Sequence, residues 1–146
     1  MAILYERVAL IGLGLIAGSM ALAMREHGLA GEVTGYARTE ATRATARRIG
    51  LVDRVCESAA DAVRDADLVV LCVPPGAMAQ VAREIGPALK QGATVTDVGS
   101  VKRAVQDAVA PHLPEGVHFV PGHPLAGTEH SGPEAGFATL FVNRWT

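Results

Sequence analysis

A chain of 146 residues is about one domain, long enough to bury a real core, and 49% of it is hydrophobic with few aromatics. The formal net charge of -2 and the lack of a Lys/Arg cluster argue against nucleic acid or any other polyanion as a partner. Cys56 and Cys72 have no metal-ligand spacing; they read as buried free thiols of a reducing, cytoplasmic compartment, and no metal site is expected.

The apolar run Val8–Met24 approaches the length of a membrane span. However, Gly12, Gly14 and Gly18 cluster inside it, and Glu6 weakens any cationic flank. A strand, a glycine turn and a helix start account for the same residues, so a soluble chain with no membrane partner is expected. The pattern predicts a strand over Arg7–Ile11 and a helix over Leu15–Glu26 that ends near Gly28. A second strand, Glu32–Tyr36, precedes a basic helix over Glu40–Ile49, stopped by Gly50. Val52–Cys56 reads as a short strand and Ala59–Arg64 as a brief helix. Leu68–Val73 is a buried-strand run ended by Pro74-Pro75, and Gly76–Leu89 is helical with Pro87 ending or kinking it. Ala93–Val98 is a strand, Val101–Val109 a helix, and Val117–Val120 the last strand of the series. This alternation predicts an α/β fold with a doubly wound parallel sheet in the order 3-2-1-4-5-6.

After Pro121 the texture turns to Gly, Pro, His and Thr, and then apolar again over Phe137–Trp145. That last segment reads as a strand on which a domain would rarely stop. Residues 1–146 are therefore expected to be one cofactor-binding domain of a longer chain.

Gly12-Leu13-Gly14-Leu15-Ile16-Ala17 fits G-x-G-x-x-G/A, after a strand and opening a helix. The first glycine makes the tight turn, and the second lets the backbone approach a pyrophosphate. The small Ala17 permits close packing, and the helix N-terminus faces the negative charge. Glycine turns are common, but this context is that of an NAD(P)-binding Rossmann domain. An NAD enzyme usually carries a carboxylate at the end of the second strand, where this chain has Gly35-Tyr36-Ala37-Arg38-Thr39. Arg38 and Thr39 suit a 2′-phosphate, which favours NADP over NAD; stacking of Arg38 on adenine, or a solvated charge, is the alternative.

Ligands in such sheets bind beyond the carboxyl ends of the strands, here Cys72-Val73-Pro74, Asp97-Val98-Gly99-Ser100 and Pro121-Gly122-His123-Pro124. The last two ends belong to neighbouring strands, so Ser100 and His123 can face one pocket beside a nicotinamide. A hydroxyl and an imidazole there suit removal of hydride from an alcohol. Ser100 is also placed to cap the following helix, and a lone loop histidine is more often structural. His112, His118 and His130 read as surface residues.

Three runs occur in order: Gly12–Ser19, Asp97-Val98-Gly99-Ser100-Val101-Lys102 and Gly122-His123-Pro124-Leu125-Ala126-Gly127-Thr128-Glu129. Together they resemble the prephenate/arogenate (cyclohexadienyl) dehydrogenase family over essentially the whole chain. The resemblance implies oxidative decarboxylation of prephenate to 4-hydroxyphenylpyruvate, or of arogenate to tyrosine, in tyrosine biosynthesis. By it His123 matches the catalytic histidine that bonds the ring hydroxyl, and Ser100 the serine orienting that hydroxyl. Glu129, with Thr128 beside it, matches an acidic residue at the pocket mouth, and its charge is expected to bear on His123. The family also implies a C-terminal helical domain that forms a homodimer and supplies an arginine for the substrate carboxylate. Lys102, Arg103 and Arg144 are not assigned to that grip. Two rival readings remain: another Rossmann oxidoreductase of the β-hydroxyacid dehydrogenase type, and a module that binds NAD(P) without chemistry.

Overall fold

The computed structural model describes residues 2–146. The chain runs β1 (Tyr5–Ile11), α1 (Leu15–His27), β2 (Ala30–Tyr36), α2 (Glu40–Ile49), β3 (Arg54–Val55) and α3 (Ala59–Val63). It continues through β4 (Leu68–Leu71), α4 (Met78–Ile85), β5 (Thr94–Asp97), α5 (Lys102–Val109) and β6 (His118–Val120). All pairings are parallel, in one six-stranded sheet of order β3-β2-β1-β4-β5-β6, the order expected from the alternation. The chain reverses direction across the sheet between β1 and β4, and such a crevice is where ligands of this architecture bind.

Alternation along β1 builds both layers. Ala9 and Ile11 pack with Val69, Leu71 and Val95 against α3, α4 and α5. Val8 and Leu10 point the other way, with Val33 and Val70, onto α1 and α2. A sheet buried on both faces needs apolar residues on both, which is why β1 and β4 read as continuous hydrophobic runs. The apolar Val8–Met24 run is thus divided among a strand, a turn and a helix. No helix among the described residues is long and apolar enough to cross a membrane.

Boundaries moved where backbone hydrogen bonding outweighed composition. Helix α2 starts and stops where its cap residues place it, with the Thr39 hydroxyl accepting from Thr42 N–H (3.3 Å) and Gly50 left-handed at the end. The helix expected over Gly76–Leu89 is shorter. Pro75 starts one 3-10 turn and Pro87 is the second residue of another, leaving Met78–Ile85 between them. The strand expected over Phe137–Trp145 is absent. Leu140, Val142 and Arg144 donate their N–H groups three residues back, to Phe137, Thr139 and Phe141, so the segment closes on itself in turns. Leu140 is buried there, Trp145 is exposed, and the Trp145 carbonyl accepts from Leu125 N–H.

At the edge opposite the ligand crevice, Asp67 ties three elements together. Its carboxylate accepts from Arg7 N–H at 2.9 Å and bonds the Lys90 ammonium, while its own N–H donates to Arg7 O. The Lys90 ammonium first, and the Arg7 N–H second, hold the Asp67 carboxyl below the usual carboxylate range. A lowered folded-state value means stability that is present above the ordinary aspartate range and lost as the pH falls through the lowered value. Asp67→Asn is expected to cost roughly 1–2 kcal/mol at neutral pH, read as a lower Tm. The difference from wild type should fade in acid, and cofactor affinity should not change.

Candidate cofactor and active site

The first strand end is built by a turn that only glycine can make. Gly12 follows β1 with φ +95°, and its N–H donates to Tyr36 O at 2.8 Å. A Cβ on Gly12 would stand 2.6 Å from Cys72 O, because this turn is pressed against the end of β4, where Cys72 N–H donates to Ile11 O. Gly14 differs. Its backbone is extended (φ -106°), and a Cβ there would meet nothing within 4 Å. Packing does not require glycine at position 14; its bare backbone leaves the space beside the turn open.

Gly14 caps α1 without a side-chain hydrogen bond, so the N–H groups of the first turn at Leu15, Ile16 and Ala17 keep the unpaired donors common to helix starts. Ala17 is buried beneath them. Beside the Gly12–Gly14 turn that leads into them lies a recess of about 280 Å³ bordered by Gly14, Arg38, Thr39, Cys72, Pro74 and Pro133. It continues past Arg38 and Val73 into a second of about 270 Å³ between Tyr36, Gln80 and Glu84. Free N–H donors at a helix N-terminus, a bare turn and a long trough fit the pyrophosphate and adenosine half of a dinucleotide.

The loop after β2 and helix α2 use their arginines differently. Arg43 donates to the carbonyls of Ala37 (2.7 Å) and Arg38 (3.0 Å) and pairs with Glu40 and Glu57. Arg47 pairs with Glu40 and Glu57, and Arg48 with Glu134. Arg38 is exposed, borders both recesses and has no ion-pair partner among the described residues. Ala37 is buried, and its position carries no acceptor side chain for a ribose. The Thr39 hydroxyl borders the recess while also capping α2, with its proton toward Thr42 Oγ1 (2.9 Å).

The cysteines are inert by environment. Cys56 is buried, and burial raises its thiol above the ordinary range. Cys72 keeps some surface open beside the recess, yet burial first, and the Asp97 carboxylate second, push its thiol up to about 12. It lines the site as a small apolar wall, not as a thiolate nucleophile. No cluster of three or more His, Cys, Asp or Glu among the described residues is placed to hold a metal.

Ser100 and His123 follow the neighbouring strands β5 and β6, whose register sets Thr96 beside Val120. Ser100 is exposed and His123 half-buried. Ser100 does not cap α5: that helix begins at Lys102, and Val101 occupies the N-cap. The serine is one residue too early for the role. Thr128 and Glu129 lie on an exposed turn, where Thr128 Oγ1 accepts from His130 N–H at 3.1 Å. Glu129 meets a different imidazole from the one expected. Its Oε1 lies 3.5 Å from His130 Nε2, because the turn folds the adjacent side chain back onto it. His118 and His130 are exposed, whereas His112 is half-buried.

Sequence reasoning passed over several residues that shape this edge. Asp97, 1% exposed, accepts from Gly99 N–H (2.9 Å) and Gly122 N–H (3.2 Å) and pairs with Lys102. Gly136 crosses Gly18 so closely that a Cβ on it would stand 2.8 Å from the backbone of Gly18 and Ser19. The buried Ser19 hydroxyl accepts from Phe137 N–H at 3.0 Å, fastening residues 133–137 over α1. An Asp at the end of an apolar strand run, two residues before a glycine, is the sequence signal for the first. Nothing local announces the Gly18–Gly136 crossing.

Comparison with known proteins agrees with this geometry. Residues 20–146 match the model of the prephenate dehydrogenase nucleotide-binding domain. The cyclohexadienyl dehydrogenase of Zymomonas mobilis is 47% identical over 137 residues, which are 94% of this chain and 46% of that protein. The prephenate dehydrogenase of Aquifex aeolicus, solved with hydroxyphenyl propionate and NAD+, superposes with a TM-score of 0.84 at 32% identity, over 95% of this chain and 48% of that one. Synechocystis arogenate dehydrogenase gives 0.84 at 31% identity, with the same coverage. The chain therefore spans about half the length of the relatives it matches.

Proposed function

The chain belongs to the prephenate dehydrogenase family, as its nucleotide-binding domain, and from that premise we propose that the protein containing it oxidatively decarboxylates prephenate or arogenate in tyrosine biosynthesis. What supports this reading is that Ser100 and His123 follow the carboxyl ends of the adjacent strands β5 and β6, the same edge of the sheet at which the trough opens beyond β1 and β4. The nicotinamide ring, when bound, supplies a hydride acceptor. Ser100 donates to or accepts from the substrate's ring hydroxyl and holds the carbon bearing it toward that acceptor. His123, neutral, takes the hydroxyl proton as the carbon becomes a carbonyl. Breaking the bond to the carboxylate then sends its electrons through the ring to the carbonyl oxygen, releasing CO2 and leaving a phenolate that takes the proton back from His123 to become the phenol. Because aromatisation drives the reaction forward, the protein's task is alignment and a proton path.

Thr128 and Glu129 border the entrance on this reading, and a helical domain completes the site with an arginine for the carboxylate and the contact of a homodimer. The free thiols Cys56 and Cys72 suit the cytoplasm. Turnover of prephenate and of arogenate by the complete protein, followed as reduced nicotinamide, tests the assignment. Activity on simple β-hydroxyacids instead, or cofactor binding with no turnover of either diene, would transfer the protein to one of the rival classes.

For the cofactor we propose a preference for NADP, because Arg38, unlike Arg43, Arg47 and Arg48 of α2, has no carboxylate partner among the described residues. A charge-assisted bond to a 2′-phosphate is worth roughly 1.5–3 kcal/mol, or about 10–100-fold in Kd. Arg38→Ala is expected to weaken NADP by that factor in calorimetry and to leave NAD within about two-fold. If both cofactors lost affinity equally, Arg38 would be stacking on adenine rather than reading the phosphate.

A further inference from the structure

Ser100 and His123 lie on two loops, and one buried ion pair holds the backbone beside both. The Asp97 side chain is 0% exposed. Its Oδ2 accepts the N–H of Gly99, next to Ser100, and its Oδ1 accepts the N–H of Gly122, next to His123. Lys102 closes the figure: its ammonium bonds Asp97 Oδ2 and also the Gly122 carbonyl. Both glycines are pressed onto this centre. A Cβ on Gly99 would stand 3.1 Å from Asp97 Oδ2, and one on Gly122 would stand 2.9 Å from Asp97 O. A carboxylate withdrawn from water is costly unless donors surround it. Here the donors come from the loops that carry the reacting groups, so satisfying the charge dictates where the loops lie.

We propose that Asp97 and Lys102 are positioning residues of the reaction: their ion pair fixes the Gly99–Ser100 and Gly122–His123 backbones relative to each other and thereby sets kcat. The proposal rests on Ser100 and His123 being the groups that handle the substrate hydroxyl. It also assigns Lys102, whose charge is balanced inside the protein and is not spent on a substrate carboxylate. Asparagine at 97 would offer one carbonyl oxygen to two N–H donors and turn an amide NH2 toward the other. A shift of about 1 Å between the loops then follows, and misplacement of that size costs on the order of 10²-fold in rate.

The test uses the complete enzyme with Asp97→Asn and Lys102→Met, each alone and on a Ser100→Ala/His123→Asn background. Each single variant should lower kcat about 10²-fold, with cofactor Kd within about two-fold. On the doubly substituted background the same changes should lower the residual rate less than about three-fold, because the groups being positioned are gone. A merely structural pair would show its full loss on both backgrounds, and that result overturns the proposal. Should Asp97→Asn fail to fold, Lys102→Met decides, since it leaves Asp97 both backbone donors and removes a side chain 33% exposed. Wild-type kcat in folded variants, beside an inactive His123→Asn, overturns the proposal alone. Wild-type kcat in His123→Asn overturns the catalytic reading and the proposal with it.

Discussion

His123→Asn, made in the complete enzyme, is expected to lower kcat about 10²–10⁴-fold, the usual cost of removing a general base. Asparagine keeps a polar group of similar reach but cannot take a proton, so a hydroxyl can still be held while its proton has nowhere to go. Cofactor affinity should stay within about two-fold, because the first turn of α1 and the Gly12 turn lie at the end of β1, with β4 and β5 between it and β6. His130→Asn is the control. Its ring is 73% exposed and lies against Glu129, outside the strand-end pair, and a change of less than about two-fold is expected. A His123→Asn enzyme within a few-fold of wild type would pass the role to Ser100 or to another part of the protein.

Gly12→Ala and Gly14→Ala should separate what the fold needs from what the ligand needs. At Gly12 a methyl would stand 2.6 Å from Cys72 O, on a residue with φ +95°. Both faults are in the backbone, so no rotamer relieves them. The β1–α1 turn must move off β4, with a loss of roughly 1–3 kcal/mol in stability and about 10²-fold or more in cofactor affinity. At Gly14 the added methyl meets open space, and φ -106° suits any residue. Tm should therefore hold within about two degrees, a shift of a few tenths of a kcal/mol. Cofactor affinity should still fall about 10-fold or more, as the methyl occupies the clearance over the helix N-terminus. Unchanged affinity in Gly14→Ala would mean that the pyrophosphate does not cross this turn. Calorimetry and thermal unfolding of the two variants, measured together, read both quantities.

What the sequence determined by itself is what neighbours along the chain can encode. Helix α2 has the bounds that Thr39 and Gly50 announce, because a cap acts within one turn. Gly12-x-Gly14 opens α1 after β1, and that glycine fingerprint, with the alternation of short apolar runs and helices, selects the order usual for a dinucleotide-binding sheet. The pairing of the Ser100 and His123 loops follows from that order alone. Tertiary structure decided the rest. Composition over Phe137–Trp145 suggested a strand, but a strand needs a partner with free hydrogen bonds, and these residues bond among themselves. Glu129 went to His130, and Arg38 was left unpaired, because turns and helix faces set which charges meet. The Asp97 carboxylate draws a donor from Gly122, 25 residues away, and Gly136 meets Gly18 across the surface of α1. Periodicity and caps are local, whereas a buried charge or a backbone crossing takes its partners from whatever the sheet brings beside it.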